Sequence, residues 1–125
     1  MLLIFKKFYN LIFFTNKIFH KPLKKKFLIF DSDNSDILKR NLKKKEVEIL
    51  DTRFAYRKNQ NLNLYVCFKN LLNFKFSTKN YYEEYINFTD PTYLITWTDN
   101  NQLFYKLNVK SNVIKISIQK AFRSL

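Results

Sequence analysis

The chain has 125 residues, of which 46% are hydrophobic, so it can form one domain with a real core and is not a disordered tail. It contains no glycine, which argues against the glycine-rich loops that bind dinucleotides and nucleoside triphosphates. Its single cysteine, Cys67, excludes a disulfide framework, and its apolar neighbours predict a buried structural thiol. The only histidine, His20, lies far from the predicted strand ends, which argues against a catalytic histidine and a His-based metal site. We therefore expect no metal and no cofactor.

The net charge of +13 raises the hypothesis of nucleic-acid binding. However, Lys outnumbers Arg 19 to 4, whereas recognition of phosphates and bases favours Arg. Lys, Asn, Phe, Ile and Tyr, all favoured by AT-rich codons, make up more than half of the chain. We therefore rank nucleic acid below the other partners and keep a small basic RNA-binding or ribosome-associated protein as the alternative function.

Residues 1–23 predict a basic amphipathic leader helix that Pro22 ends. Lys6, Lys7 and Lys17 would contact an anionic membrane surface and hold a cytoplasmic protein at the inner face of the cell membrane. These lysines interrupt the segment too often for a membrane-spanning helix. The alternatives are a helix packed on the domain and a loosely ordered basic leader.

Residues 24–125 predict an α/β domain, because apolar segments typical of strands alternate with helical patterns. We expect a Rossmann-like half domain with about four mostly parallel strands and flanking helices. The strands are predicted at 27–30, 47–50, 93–97 and 113–118. The first is wholly apolar, as in strands buried on both faces, and the last alternates Ile with polar residues, as in strands nearer an edge.

Between these strands, Ile37, Leu38 and Leu42 predict a short helix, and residues 62–76 predict a longer apolar one. Ser77 or Thr78 would cap a further helix that Pro91 closes. We expect the loop from 51 to 61 to be charged and exposed.

Polar residues follow each predicted strand. The first two strands precede Asp31 and Asp51, the third precedes Asp99 and Asn100, and the last precedes Gln119. Since ligands bind at the carboxyl ends of strands in open α/β sheets, we expect these residues to form one binding edge.

Two of these strand ends have alternative interpretations. Trp97 is either a core residue or a ring that stacks on a sugar, and Asp99 also suits the N-cap of a helix. The segment 31–36 begins like a calcium loop, but it lacks the glycine and the glutamate of that motif, so helix capping by Asn34 or Ser35 is preferred.

The chain also resembles a known family. The segments 25–31, 48–53, 82–86, 91–100 and 116–119 resemble the N-terminal half of bacterial surface carbohydrate biosynthesis proteins, which are glycosyltransferase-like proteins of GT-B type. The resemblance runs from about Lys24 to Arg123. It is strongest in the Thr-x-x-Asp-Asn that ends the third strand and in the Ser-Ile-Gln of the last strand. The family continues with Gln-Asn-Gly-x-Arg, of which Gln119 and Arg123 match and the Asn and Gly do not.

The resemblance implies an acceptor-side Rossmann-like domain that binds a sugar or glycan acceptor, followed by a second domain for the activated sugar. The C-terminal domain is absent from this chain, so we expect no transferase activity from the chain alone, and no catalytic residue is assigned. The other interpretation of this length is a truncated reading frame without activity. The residues assigned to substrate binding are Asp31, Trp97, Asp99, Asn100, Gln119 and Arg123.

Overall fold

The structure, a computed structural model, describes residues 2–31, 35–52, 59–97 and 102–118. It is an α/β fold with parallel strands in two sheets and flanking helices, consistent with the predicted Rossmann-like half domain. In chain order the elements are α1 (Leu2–Phe13), β1 (Asn16–Ile18), β2 (Phe27–Phe30), α2 (Ser35–Asn41), a 3-10 turn (Lys44–Glu46), β3 (Val47–Leu50), β4 (Asn61–Asn63), α3 (Leu64–Leu72), α4 (Thr78–Thr89), β5 (Tyr93–Thr96), α5 (Gln102–Lys106) and β6 (Ile114–Ser117).

The main sheet contains the four predicted strands in the order β3-β2-β5-β6, and every pair is parallel. Strand β2 has a neighbour on each side, and its residues Leu28, Ile29 and Phe30 are fully buried. This confirms the prediction from its wholly apolar sequence. Strand β6 lies at an edge, as its alternation of Ile with polar residues predicted.

A second, two-stranded parallel sheet pairs β1 with β4 and was not predicted. The leader helix was predicted over residues 1–23, but α1 ends at Phe13 and β1 follows within the predicted range. Strand β4 occupies the start of the helix predicted over 62–76. Three-residue strands are too short to show a period of two, so their pairing partners decide them.

The core lies between the main sheet and helices α3 and α4. Leu28 and Phe30 of β2 pack there with Val66 of α3 and with Tyr82 and Ile86 of α4. The rings of Phe30 and Tyr82 meet edge-on, with their centroids 5.3 Å apart. Phe30 and Tyr82 therefore serve to pack the domain.

Helix α4 begins and ends as the sequence predicts. Ser77 is its N-cap, and the Ser77 Oγ accepts a hydrogen bond of 3.1 Å from the backbone N–H of Asn80. The helix ends at Thr89, where Asp90 adopts a left-handed conformation and Pro91 follows. Proline cannot continue a helix, which explains the position of this boundary.

Three side chains differ from their predicted exposure. Cys67 is half-buried rather than fully buried, and burial raises the pKa of its thiol. Asp51 and Gln60 are buried, so the prediction that the loop 51–61 is exposed was wrong at these two residues. The reason is a contact across the loop, in which the Asp51 carboxylate accepts the backbone N–H of Asn61 at 2.7 Å.

Asn63 joins three parts of the fold. Its Oδ1 accepts the backbone N–H groups of Tyr65 at 3.0 Å and Val66 at 3.2 Å, which caps α3. Its Nδ2 donates to the carbonyl of His20 at 3.0 Å, and its backbone N–H donates to the Tyr81 hydroxyl at 2.9 Å. A single buried residue thus ties β4 and α3 to the segment after β1 and to α4.

We expect Asn63→Ala to lower the free energy of unfolding by about 2 kcal/mol, because it removes the helix cap and leaves buried donors without acceptors. Asn63→Ser keeps a side-chain oxygen for the cap without adding a buried charge but loses the donor to His20, so it is expected to cost less. Urea denaturation of the two variants and the wild type measures both effects. Equal losses for Ala and Ser would show that the cap contributes nothing.

Candidate functional site

The carboxyl ends of the main-sheet strands lie in register. Phe30 of β2 is paired with Leu50 of β3 and with Thr96 of β5. The hydrogen bonds continue past the strand ends, since the N–H of Asp31 donates to the Leu50 carbonyl at 3.0 Å. The residue after each strand therefore faces the same edge of the sheet.

Asp31 and Trp97 follow the two central strands, β2 and β5. From β2 the chain adds β3 on one side and later adds β5 on the other side. The order of the sheet therefore reverses between β2 and β5. In open parallel sheets, ligands bind in the crevice at the carboxyl ends of the two strands that flank such a reversal.

Asp31 is buried, with 3% of its surface exposed, and it has a positive φ of 85°. Asp is one of the few residues other than glycine that adopt this region without a large cost. Burial, and after it the nearby Asp31 carboxylate, raises the pKa of Tyr82 to about 12. The Asp31 carboxylate therefore interacts electrostatically with Tyr82, a residue of the core.

Asp51 occupies the position after β3 that Asp31 occupies after β2, and it is also buried. Burial raises the pKa of the Asp51 carboxyl group, and the neighbouring Asp31 carboxylate raises it further, against the bond from the Asn61 N–H. Adjacent strands lie about 4.8 Å apart, so the edge carries two closely spaced acidic groups. Carboxylates are strong acceptors for hydroxyl donors.

Trp97 supplies a donor at the same edge. Its ring is half-buried at the end of β5, and its Nε1 is buried without a hydrogen-bond partner among the described residues. Buried indole N–H groups normally have an acceptor, so this one calls for an explanation. A ligand atom that accepts a hydrogen bond would provide it.

A groove of about 740 Å³ continues from this edge along β3, which is the outer strand of the main sheet. Its walls carry Lys39, Lys44, Glu48 and Asp51 together with the amide side chains of residues 59–61. The Glu48 Oε1 accepts the Tyr85 hydroxyl at 2.6 Å, while its Oε2 is buried without a partner in the described part of the chain. The groove thus presents both charge signs and lies in the size range of small-molecule sites.

The structure brings Asp31 and Trp97 to one edge, as the strand pattern predicted. The other four residues predicted to bind substrate lie outside the described residues, as does Asn34, which was predicted to cap a helix. They are Asp99, Asn100, Gln119 and Arg123.

Of the three lysines predicted to contact the membrane, two lie on α1 and the third does not. Lys6 is exposed on α1, and Lys7 belongs to the same helix. Lys17 lies in β1 rather than on a helix, and its Nζ donates to the carbonyls of Ile12 and Thr15. The free carbonyls at the end of α1 attract this cation, which is why it folds back onto the helix.

No protein family, curated protein or solved structure matches the chain. The resemblance to surface carbohydrate biosynthesis proteins therefore stays a prediction. Within the described ranges, no three His, Cys, Asp or Glu side chains are grouped to hold a metal ion. Of the helices that the structure describes, none is both long and apolar enough to cross a bilayer.

Asp51 was predicted to lie at the binding edge but was not among the residues assigned to substrate binding, and Glu48 was not predicted at all. Asp51 had a usable signal, since it follows an apolar strand just as Asp31 does. Glu48 had none, because a Glu inside a strand gives no hint that a groove will lie beside it. Its role depends on β3 being the outer strand and on Tyr85 of α4 reaching it.

We expect Asp51→Asn to stabilise the protein at pH 7. Burial raises the folded-state pKa of Asp51 above its ordinary value of 3.8. The protonated carboxyl group therefore stabilises the fold fully below pH 3.8, and this stabilisation is lost as the pH rises through the folded-state pKa. The neutral amide keeps an acceptor for Asn61 and avoids the buried charge. Urea denaturation at pH 7 and pH 4 should show a gain that shrinks at the lower pH.

The exposed Asp36 provides the control, and Asp36→Asn is expected to change stability by less than about 0.5 kcal/mol. A loss of stability in Asp51→Asn that is equal at both pH values would contradict the assignment of a raised pKa.

Proposed function

We propose that this chain binds a sugar or glycan acceptor at the carboxyl edge of its main sheet, as the acceptor-side domain of a glycosyltransferase-like protein of surface polysaccharide biosynthesis. One observation carries the proposal. Asp31 and Trp97 flank the reversal of strand order, and the Trp97 N–H is buried without a partner among the described residues. This is where such sheets bind ligands.

The chemistry of the edge suits a polyhydroxylated ligand. Sugar hydroxyls both donate and accept hydrogen bonds, so they can donate to Asp31 and Asp51 and accept from the Trp97 indole. The indole face offers an apolar surface to the ring of the sugar. The groove along β3 has room for a further sugar unit beside Lys39 and Glu48.

The sequence resemblance supports the same assignment. In this proposal Asp99 and Asn100 add contacts to a sugar hydroxyl or cap the following helix. Gln119 and Arg123 contact the acceptor or the second domain that binds the activated sugar.

The proposal also places the protein peripherally at the inner face of the cell membrane. Lys6 is exposed on α1, and residues 1–26 carry seven lysines and no acidic residue. Anionic headgroups attract such segments by about 1 kcal/mol for each basic residue near the surface.

Trp97 is the only tryptophan, so its fluorescence reports directly on the proposed sugar site. We expect a saturable change in its emission when glucose, galactose or their N-acetylamino derivatives are titrated into the wild-type protein. Asp31→Asn should raise the dissociation constant about tenfold, because it removes a charged acceptor. Asparagine also tolerates the positive φ of this position, so the fold should persist.

Asp90→Asn is the matched control. Asp90 also has a positive φ, of 43°, but it precedes β5 and so lies at the opposite end of the strand from Trp97. This variant should bind like the wild type. An unchanged emission with every sugar, or equal binding by Asp31→Asn, would reject the proposed site. If the wild type instead bound RNA with a steep salt dependence, the RNA-binding alternative would replace it.

For the proposed location, replacement of Lys6, Lys7 and Lys17 by Glu should abolish binding to phosphatidylcholine vesicles that contain phosphatidylglycerol. Vesicle sedimentation measures the bound fraction. In the control variant, Glu replaces three exposed lysines elsewhere, so that both variants have the same net charge. These are Lys43, Lys45 and Lys106. Unchanged binding by the first variant would reject the anchoring role of these lysines.

A further inference from the structure

Exposed apolar side chains are concentrated in two parts of the molecule. Of the fifteen large hydrophobic residues that are exposed in the described ranges, twelve lie within residues 2–23 and 68–76. In α1 they recur at helical spacing and form one face, while Leu11 on the opposite side packs against the core. The exposed residues of this face are Leu2, Phe5, Tyr9, Ile12 and Phe13.

The second group lies on α3 and in the turn between α3 and α4. Phe68, Leu71 and Leu72 are exposed on the helix, and Phe74 and Phe76 follow in the turn. One cavity of about 240 Å³ is lined by Leu11 of α1 and by Leu71 and Phe76, so α1 lies close to α3 and the turn. We call the exposed residues of α1, α3 and this turn the apolar surface.

The segments that form the apolar surface carry charges of one sign. The sequence contains no Asp or Glu from residue 1 to 30 or from 52 to 82, the segments that contain α1, α3 and the turn. Lys6 is exposed on α1, Lys69 on α3 and Lys75 in the turn. Aromatic and aliphatic side chains bordered by lysines complement a membrane with anionic headgroups.

The conformation of Phe74 is the most specific observation. The N–H of Phe74 donates to the carbonyl of Leu71 at 3.2 Å, and the N–H of Lys75 donates to the carbonyl of Asn70 at 2.8 Å. This pattern ends α3 in a Schellman motif, whose left-handed position is usually Gly and sometimes Asn. Phe74 occupies it with a φ of 56° and is 84% exposed.

The other residues with positive φ in the described ranges are of types that adopt the left-handed region with less strain than Phe. They are Asp31, Asn59 and Asp90, all of types that tolerate the left-handed region. A bulky aromatic residue gains nothing there from packing, because its side chain projects into solvent. Strain that neither stability nor burial explains points to a functional role.

We propose that the turn between α3 and α4 inserts Phe74 and Phe76 into the surface of an anionic membrane, close to helix α1. The left-handed backbone of Phe74 makes the turn tight and directs the ring outward, while Lys69 and Lys75 reach the headgroups. This inference rests on the proposed membrane location, and it adds a second contact that is separate from the leader lysines.

The test compares binding and stability for Phe74→Asn. Asparagine suits the left-handed position, so the melting temperature should stay the same or rise. Binding to phosphatidylcholine–phosphatidylglycerol vesicles should fall about tenfold, because a buried aromatic side chain is lost from the bilayer. A residue with only a structural role would not give a more stable protein that binds less.

Ile114→Asn serves as the control for loss of an exposed apolar residue. Ile114 is 51% exposed on β6, an edge strand of the main sheet and outside the apolar surface. Its variant should bind vesicles like the wild type. A direct readout uses Phe74→Trp in a Trp97→Phe background, whose emission should shift to the blue with anionic vesicles, whereas Ile114→Trp in that background should not shift.

The outcomes separate this inference from the proposals on which it rests. If the wild type binds vesicles, the Lys6, Lys7 and Lys17 variant does not, and Phe74→Asn binds normally, only the insertion of the turn is rejected. If the wild type ignores anionic vesicles, the membrane location and the insertion both fail, while the sugar titration at Trp97 still stands. A wild-type dimer that Phe74→Asn converts to a monomer, without vesicle binding, would reject the membrane in favour of a second copy of the chain.

Discussion

The parallel pairing of β2 with both β3 and β5 is the constraint on which the rest of the structure depends. Leu28, Ile29 and Phe30 are fully buried, so both faces of β2 are committed to the interior. A slip of one residue would exchange the side chains between the two faces and break the packing on α4. The same register sets Asp31 beside Asp51 and brings the polar strand ends to one edge of the sheet.

The lack of glycine makes every left-handed position informative. Asp31, Asn59 and Asp90 take up three such positions with side chains that tolerate them. Asp31 thereby combines a backbone function, which is to turn the chain at the end of β2, with an acidic group at the candidate site. Phe74 departs from this pattern, which is why its exposed ring stands out from the other exposed aromatic residues.

The tyrosines of α4 lie near both the carboxyl edge of the main sheet and the apolar surface. Tyr82 packs against Phe30, the residue before Asp31, and its hydroxyl donates to the Thr52 carbonyl at 3.4 Å near the carboxyl edge. Tyr81 and Tyr82 also line the cavity below the apolar surface. One buried helix face therefore supports both the proposed sugar site and the proposed membrane contact.

The sequence by itself determined the α/β class, the four strands of the main sheet and the helix that Ser77 begins, because these depend on local apolar runs and caps. It also indicated that Asp31 and Trp97 would share an edge, since parallel strands align their ends. The small β1–β4 sheet, the end of the first helix at Phe13 and the burial of Asp51 were decided by the tertiary structure. Each depends on a partner distant in the chain, such as the Asn61 N–H for Asp51, and no local pattern encodes such a partner.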